Sequence, residues 1–183
     1  MADPAGRETE DRFLSASATA TLAELAARLQ AIAISQSVTV GTAESCTGGL
    51  VGHSITSIPG SSAYYIGGVV SYSDALKERL LGVPQGAIER HGAVSAQVAM
   101  AMAHGVRDRT GCDYGVAVTG VAGPDGGSEA KPVGLTYVAT AGPGGDEVQR
   151  RVWTGGRDAN KEDSAAMALE MLRRVIEAAE ASA

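Results

Sequence analysis

Two adjacent serines, a tyrosine and a lysine occur within the run Pro59 to Lys77, PGSSAYYIGGVVSYSDALK. A serine hydroxyl is a poor nucleophile until a neighbouring base takes its proton, and a partly desolvated lysine can be that base. The run therefore holds the parts of a Ser–Lys hydrolytic centre that needs no histidine. Ser61 and Ser62 precede one apolar stretch and Lys77 follows it, and Tyr72 shares that neighbourhood. Lys77 follows that strand directly, so its side chain can fold back over the strand's carboxyl end, where α/β sheets place their ligands. A solvated surface lysine is the plain alternative. For Ser61 and Ser62, which follow Pro59-Gly60, the plain alternative is a turn or helix cap. The Ser73-to-Lys77 spacing is SxxxK, which excludes a direct match to the SxxK of penicillin-binding enzymes.

Two further segments could wall such a centre: TAESCTGG, from Thr42 to Gly49, and TGVAGPDGG, from Thr119 to Gly127. Ser45 and Thr47 stand where a strand turns into a helix, and hydroxyls there commonly cap the helix. The same helix N-terminus, with Gly48 and Gly49, offers N–H groups to a phosphate or to a developing oxyanion. After Thr119, Gly120, Gly123, Gly126 and Gly127 permit close backbone approach to a ligand, in a pattern that is neither GxGxxG nor a P-loop. A thiol at a helix N-terminus such as Cys46 can be acidified. None of His53, His91 and His104 is placed to serve it, so Cys46 is expected to pack and Cys112 to lie in the core. Scattered histidines without a Cys/His/Asp cluster at ligand spacing argue against a metal, and no cofactor is expected.

The elements that must position these residues follow from periodicity. Leu22, Leu25, Leu29 and Ile32 form the stripe of an amphipathic helix ending near Ser35. Val38 to Ala43 is a short strand, Glu44 to Thr47 a turn, and Gly48 to Ile58 a helix stopped by Pro59-Gly60. Ile66 to Tyr72, mostly apolar with two glycines, reads as a central strand. Ser73 caps a helix through Leu81, a helical turn follows Pro84, and Ser95 caps a helix closed by Gly111. Tyr114 to Thr119 is another inner strand. Val133 to Ala141 and Glu147 to Trp153 form a hairpin around Gly142-Pro143-Gly144-Gly145, and Asp158 starts the final helix. Strands interleaved with helices, plus one hairpin, predict a layered α/β domain with a mixed sheet. Residues 1–18 lack periodicity and are expected to be a flexible tail, leaving the domain over 19–183.

The 183 residues fit one domain, large enough to build a core without metal or disulfide. A net charge of −6 argues against a nucleic-acid surface, which needs clustered Lys and Arg. Two cysteines make no disulfide framework and fit a reducing cytoplasm. No apolar run approaches membrane-spanning length, and the charged N-terminus does not resemble a signal peptide. A soluble cytoplasmic protein without membrane or nucleic-acid partners is expected, and its glycine- and alanine-rich faces could pack in a homo-oligomer.

TAESCTGGLVGHSIT, GSSAYYIGGVVSYSDALKERLLGV, HGAVS and TGVAGPDGGSEAKPVGLTYVA together resemble the CinA C-terminal domain family, from about Leu22 to Ile176. The resemblance implies a single three-layer α/β/α domain with a mixed, mostly parallel sheet. It implies an amidohydrolase that converts the carboxamide of nicotinamide mononucleotide to the acid and ammonia through a Ser–Lys arrangement without metal. By motif, Ser62 matches the family's GSS serine, Lys77 the lysine after its Y[ST]N motif, Tyr72 the tyrosine of that motif, and Ser45 the serine of AESCTGG. The mechanism expected has Ser62 attacking, neutral Lys77 accepting the proton, and the Lys77–Tyr72 pair protonating the leaving ammonia, with Ser45 as the alternative nucleophile positioned by Ser62. Arg157 and Lys161 are candidates for the substrate phosphate. Asp74, Leu76 and Lys161 depart from the family's common residues, and a carboxylate at 74 would favour charged Lys77. A nucleotide-binding module without turnover, and an interaction domain, are the alternatives from other classes.

Overall fold

A computed structural model describes residues 20–180. The tail expected over residues 1–18 lies outside them. Helix α1 (Leu22–Ser35) opens with a capping box, Thr21 and Glu24 satisfying each other's first-turn groups, and buries Leu25, Ala26, Leu29 and Ala33. Strand β1 (Val40–Glu44) is buried along its whole length and leads into α2 (Leu50–Thr56). A single 3₁₀ turn (Ser61–Ala63) precedes β2 (Tyr65–Val70). Helices α3 (Asp74–Leu81), α4 (Gln85–His91) and α5 (Ala96–Thr110) follow, with Ser73 and Ser95 capping α3 and α5 and Gly111 ending α5. Strands β3 (Tyr114–Gly120), β4 (Leu135–Ala141) and β5 (Glu147–Val152) complete the sheet, and α6 (Arg157–Glu180) closes the fold.

The sheet order is β2-β1-β3-β4-β5. β1 pairs parallel with β2 and β3, while β4 is antiparallel to both its neighbours, so four of the five strands run the same way. Helices α1, α2 and α6 cover one face, around Leu29, Ile55, Val138 and Leu172. Helices α3, α4 and α5 cover the other, around Leu81, Val98, Met102 and Ala139. This is the predicted three-layer arrangement. Each large apolar side chain sealed in either core contributes roughly 1.5–3 kcal/mol of burial.

One strand is placed differently from expectation. β2 is the sheet's edge and not a central strand, and its burial alternates, leaving Ile66 and Val70 exposed. One of its two glycines serves the close approach that was expected: a Cβ at Gly68 would collide with Thr42 Oγ1 on β1, whereas one at Gly67 would meet open space. A missing side chain thus reports contact with one neighbour and is silent on whether a second exists. No helix among the described residues is long and apolar enough to cross a membrane.

Candidate active site

The chain leaves β1 through α2 on one face and returns to β3 through α3, α4 and α5 on the other. The carboxyl end of β1 is therefore the point where the winding reverses, the usual ligand crevice of an open α/β sheet. A cavity of about 190 Å³ lies there. The β1–α2 turn lines it with Ser45 and Cys46, and α3 with Asp74 and Lys77. Tyr72, Thr119 and Gly120 add the ends of the neighbouring strands.

Lys77 is only 1% exposed. Its Nζ lies 3.2 Å from Ser45 Oγ and 3.0 Å from the Ser71 carbonyl oxygen, with Asp74 Oδ1 at 3.8 Å. Burial pulls its pKa below the ordinary lysine value, while the charge of Asp74 acts in the opposite direction. Helix α3 makes this possible by starting at once after β2, so that its first turn folds Lys77 back over the strand's carboxyl end.

Ser45 is buried, and its backbone N–H extends the β1–β3 ladder to the Val118 carbonyl. Cys46 beside it has its thiol pushed up to about 11, chiefly by burial, and stays protonated at neutral pH. That fits packing and not nucleophilic attack. Thr47 is also buried, and its Oγ1 has no hydrogen-bond partner among the described residues.

The turn is organised by Glu44, whose role the sequence reading missed. Its buried carboxylate accepts the N–H groups of Gly49, Val51 and Gly52 at 3.0, 3.1 and 2.8 Å. The Gly48 N–H goes to the Ser45 carbonyl. The expectation that Gly48 and Gly49 offer free donors to an external anion is thus corrected: the chain's own carboxylate is the guest. An acidic residue just ahead of a short helix was the available signal.

Ser62 does not meet Lys77. It lies exposed on the 3₁₀ turn at the start of β2, whereas Lys77 follows that strand's end. Six extended residues separate the two ends by roughly 20 Å. Flanking one strand therefore places two residues apart, and the hydroxyl that reaches Lys77 comes from the adjacent strand, as Ser45.

Tyr72 lines the cavity, but its hydroxyl accepts a hydrogen bond from Arg157 Nη2 at 3.0 Å and is not paired with Lys77. Arg157 Nη1 also donates to the Gly123 carbonyl at 2.7 Å, and Asn160 Nδ2 to the Ala122 carbonyl at 3.0 Å. The first turn of α6 thereby holds the loop after β3 against the cavity. Thr119 Oγ1 is committed to the Ala93 carbonyl at 2.9 Å. At Gly120 a Cβ would collide with the Leu135 carbonyl oxygen at 2.6 Å and Thr136 Oγ1 at 2.7 Å, so the glycine serves the close approach of β4. Lys161, half-buried on α6, stands behind Arg157 and outside the cavity lining.

The family model for the CinA C-terminal domain matches residues 22–176. A CinA-like protein of Desulfotalea psychrophila is 46% identical over 143 residues, covering 78% of this chain and 35% of that protein. A putative competence-damage inducible protein of Moorella thermoacetica is 48% identical, covering 81% of this chain and 36% of its own length. The chain thus spans about a third of the length of these curated relatives. Among solved structures, a competence/damage inducible protein from Agrobacterium tumefaciens is 41% identical with a TM-score of 0.80, over 84% of this chain and 94% of that one. A CinA superfamily protein from Klebsiella pneumoniae superposes with a TM-score of 0.83 at 31% identity, over 86% and 99% of the two chains.

Proposed function

The chain belongs to the CinA C-terminal domain family, and we propose that its cavity hydrolyses the exocyclic carboxamide of nicotinamide mononucleotide, giving the acid and ammonia. The observation that carries this is the buried Lys77 amine 3.2 Å from Ser45 Oγ at the carboxyl end of the sheet. A lysine whose burial favours the neutral form can accept the serine proton without a histidine.

In the neutral form the Lys77 lone pair would be directed at Ser45, while an N–H bond serves the Ser71 carbonyl and Asp74 stands at 3.8 Å. Ser45 Oγ attacks the amide carbon as its proton passes to Lys77. The Lys77 ammonium then protonates the departing nitrogen, the C–N bond breaks, and ammonia leaves an ester on Ser45. Water attacks that ester, again giving its proton to Lys77, and Ser45 recovers its hydrogen. Backbone N–H groups of the turn after Ser45 would hold the oxyanion; those of Cys46 and Thr47 also face the Cys46 thiol. One such donor is typically worth about 3 kcal/mol. Tyr72, whose oxygen accepts from Arg157, keeps its own proton to offer towards the cavity.

A volume of about 190 Å³ is below the ~300–1,000 Å³ of sites that enclose a whole ligand. It suits the carboxamide-bearing ring, with ribose and phosphate extending over the rim towards Arg157 and Lys161. One observation favours a second reading, a binding module without turnover: Asp74 close to Lys77 supports its charged, unreactive form.

Ammonia release from nicotinamide mononucleotide, measured for the native chain and for Ser45→Ala and Lys77→Ala, separates the two. Turnover by the native chain that both substitutions abolish supports the amidohydrolase. Saturable nucleotide binding with no ammonia from the native chain would establish the binding module instead.

A further inference from the structure

Among the described residues Asp74 is the one carboxylate that lines the cavity, and its side chain is 55% exposed, so it meets both the cavity and solvent. On its own helix it faces Lys77, at 3.8 Å. The β1–α2 turn presents the neutral Cys46 thiol, and the segment after β2 presents Tyr72, whose hydroxyl is held by Arg157 from α6. The end of β3 and the α4–α5 connection contribute only uncharged groups to the lining. Among the described residues at the cavity and its rim, the ammonium and the guanidinium are positive and Asp74 is the negative group that lines it; the buried Glu44 carboxylate, one residue before Ser45, is taken up by the N–H groups at the head of α2. An anionic substrate group thus has the Arg157 rim, and a cationic ring inside the cavity has one carboxylate to pair with.

We propose that Asp74 selects substrates whose ring carries a positive charge, exchanging its ion pair with Lys77 for one with the ring; this rests on the amidohydrolase reading above. The pyridinium ring of nicotinamide mononucleotide is such a cation. Its arrival beside Lys77 removes the ammonium's counter-charge and adds a like charge, both of which favour the neutral amine. The proton leaves Lys77 for solvent, and the base is generated by the substrate it will act on. A neutral ring leaves Asp74 with Lys77 and the amine protonated. The carboxylate that weakens Lys77 in the empty site thereby makes it responsive to ring charge.

The test compares two ligands with the same phosphate, ribose and carboxamide: nicotinamide mononucleotide and its reduced dihydropyridine form, whose ring is neutral. Calorimetric binding to Ser45→Ala, which removes turnover, should favour the cationic form by about threefold to tenfold, the range for a partly exposed charge pair. The cationic form should also release protons on binding, read from the dependence of the binding heat on buffer. Adding Asp74→Asn should erase both, and Asp74→Glu should retain part of each. Equal affinity of Ser45→Ala for the two forms, an unchanged preference in the Asp74→Asn background, or binding of neither form overturns the proposal. Charge-selective binding together with a native chain that releases no ammonia would leave Asp74's role standing and sink the amidohydrolase reading.

Discussion

Ser45 and Lys77, 32 positions apart in the chain, meet at 3.2 Å because β1 and β2 are parallel neighbours whose carboxyl ends lie side by side. Ser45 begins the turn after one strand, and Lys77 occupies the first helical turn after the other. Substituting either to Ala should lower ammonia release by at least about a thousandfold, the usual scale for a nucleophile or its base. Ser62→Ala, at the far end of β2, should retain most of the rate. A rate in Ser62→Ala as low as in Ser45→Ala would restore Ser62 as the nucleophile and refute the assignment.

Burial sets the sign of the pH dependence. With its pKa lowered in the folded protein, Lys77 binds fewer protons there than in the unfolded chain between the folded value and 10.5. Over that window stability rises with pH, and the cost of burying the ammonium is fully present below it. Turnover should likewise rise with pH as the free amine appears. Asp74→Asn removes the charge that holds Lys77 protonated, so the rising limb should move to lower pH. A limb that stays in place, or moves up, contradicts the role given to Lys77.

The same burial implies a conflict between function and stability. Lys77→Met keeps the unbranched stem and removes a buried charge, a change that is often neutral or stabilising. The melting temperature should hold or rise by about 2–5 °C while activity vanishes. A fall of several degrees would mean that the Lys77 hydrogen bonds to Ser45 and the Ser71 carbonyl outweigh its desolvation.

Much of this architecture is legible in the sequence because it is local. The Leu22–Ile32 stripe, the caps at Ser73 and Ser95 and the hairpin around Gly142 depend on near neighbours, and each element forms where its pattern predicts. What is not legible is which strands adjoin. The apolar run of β2 fits an edge as well as a centre, and flanking one strand does not show that Ser62 and Lys77 stand at its opposite ends. Arg157 and Tyr72 are 85 positions apart, and only the docking of α6 unites them. Glu44 was readable as a turn residue, but that its carboxylate would fold onto the following helix depends on burial.

That carboxylate yields a further prediction. Glu44→Ala leaves three N–H groups of α2 without their acceptor, two of them in partly buried positions and one in a buried one. Unfolding by urea should show a loss of about 2–4 kcal/mol, the scale for removing one partner from a buried charged network. Glu44→Gln keeps one amide oxygen for the turn and should fall between the two. Wild-type stability in Glu44→Ala would mean that the turn is held by its own backbone bonds.

Arg157 makes no contact with Ser45 or Lys77; its bonds go to Tyr72 and the Gly123 carbonyl. A guanidinium at the rim that takes the substrate's phosphate acts on binding more than on the bond-breaking step, so Arg157→Ala should raise KM by about tenfold or more with a smaller change in kcat. Arg157→Lys, which keeps the charge and loses the planar fork, should recover only part of the loss. Lys161→Ala, one turn further along α6 and outside the cavity, should have the milder effect. The decisive comparison is with nicotinamide riboside, which lacks the phosphate. Arg157→Ala should barely affect its kcat/KM, and an equal loss on riboside and nucleotide would assign Arg157 to holding Tyr72 and the loop instead of the phosphate.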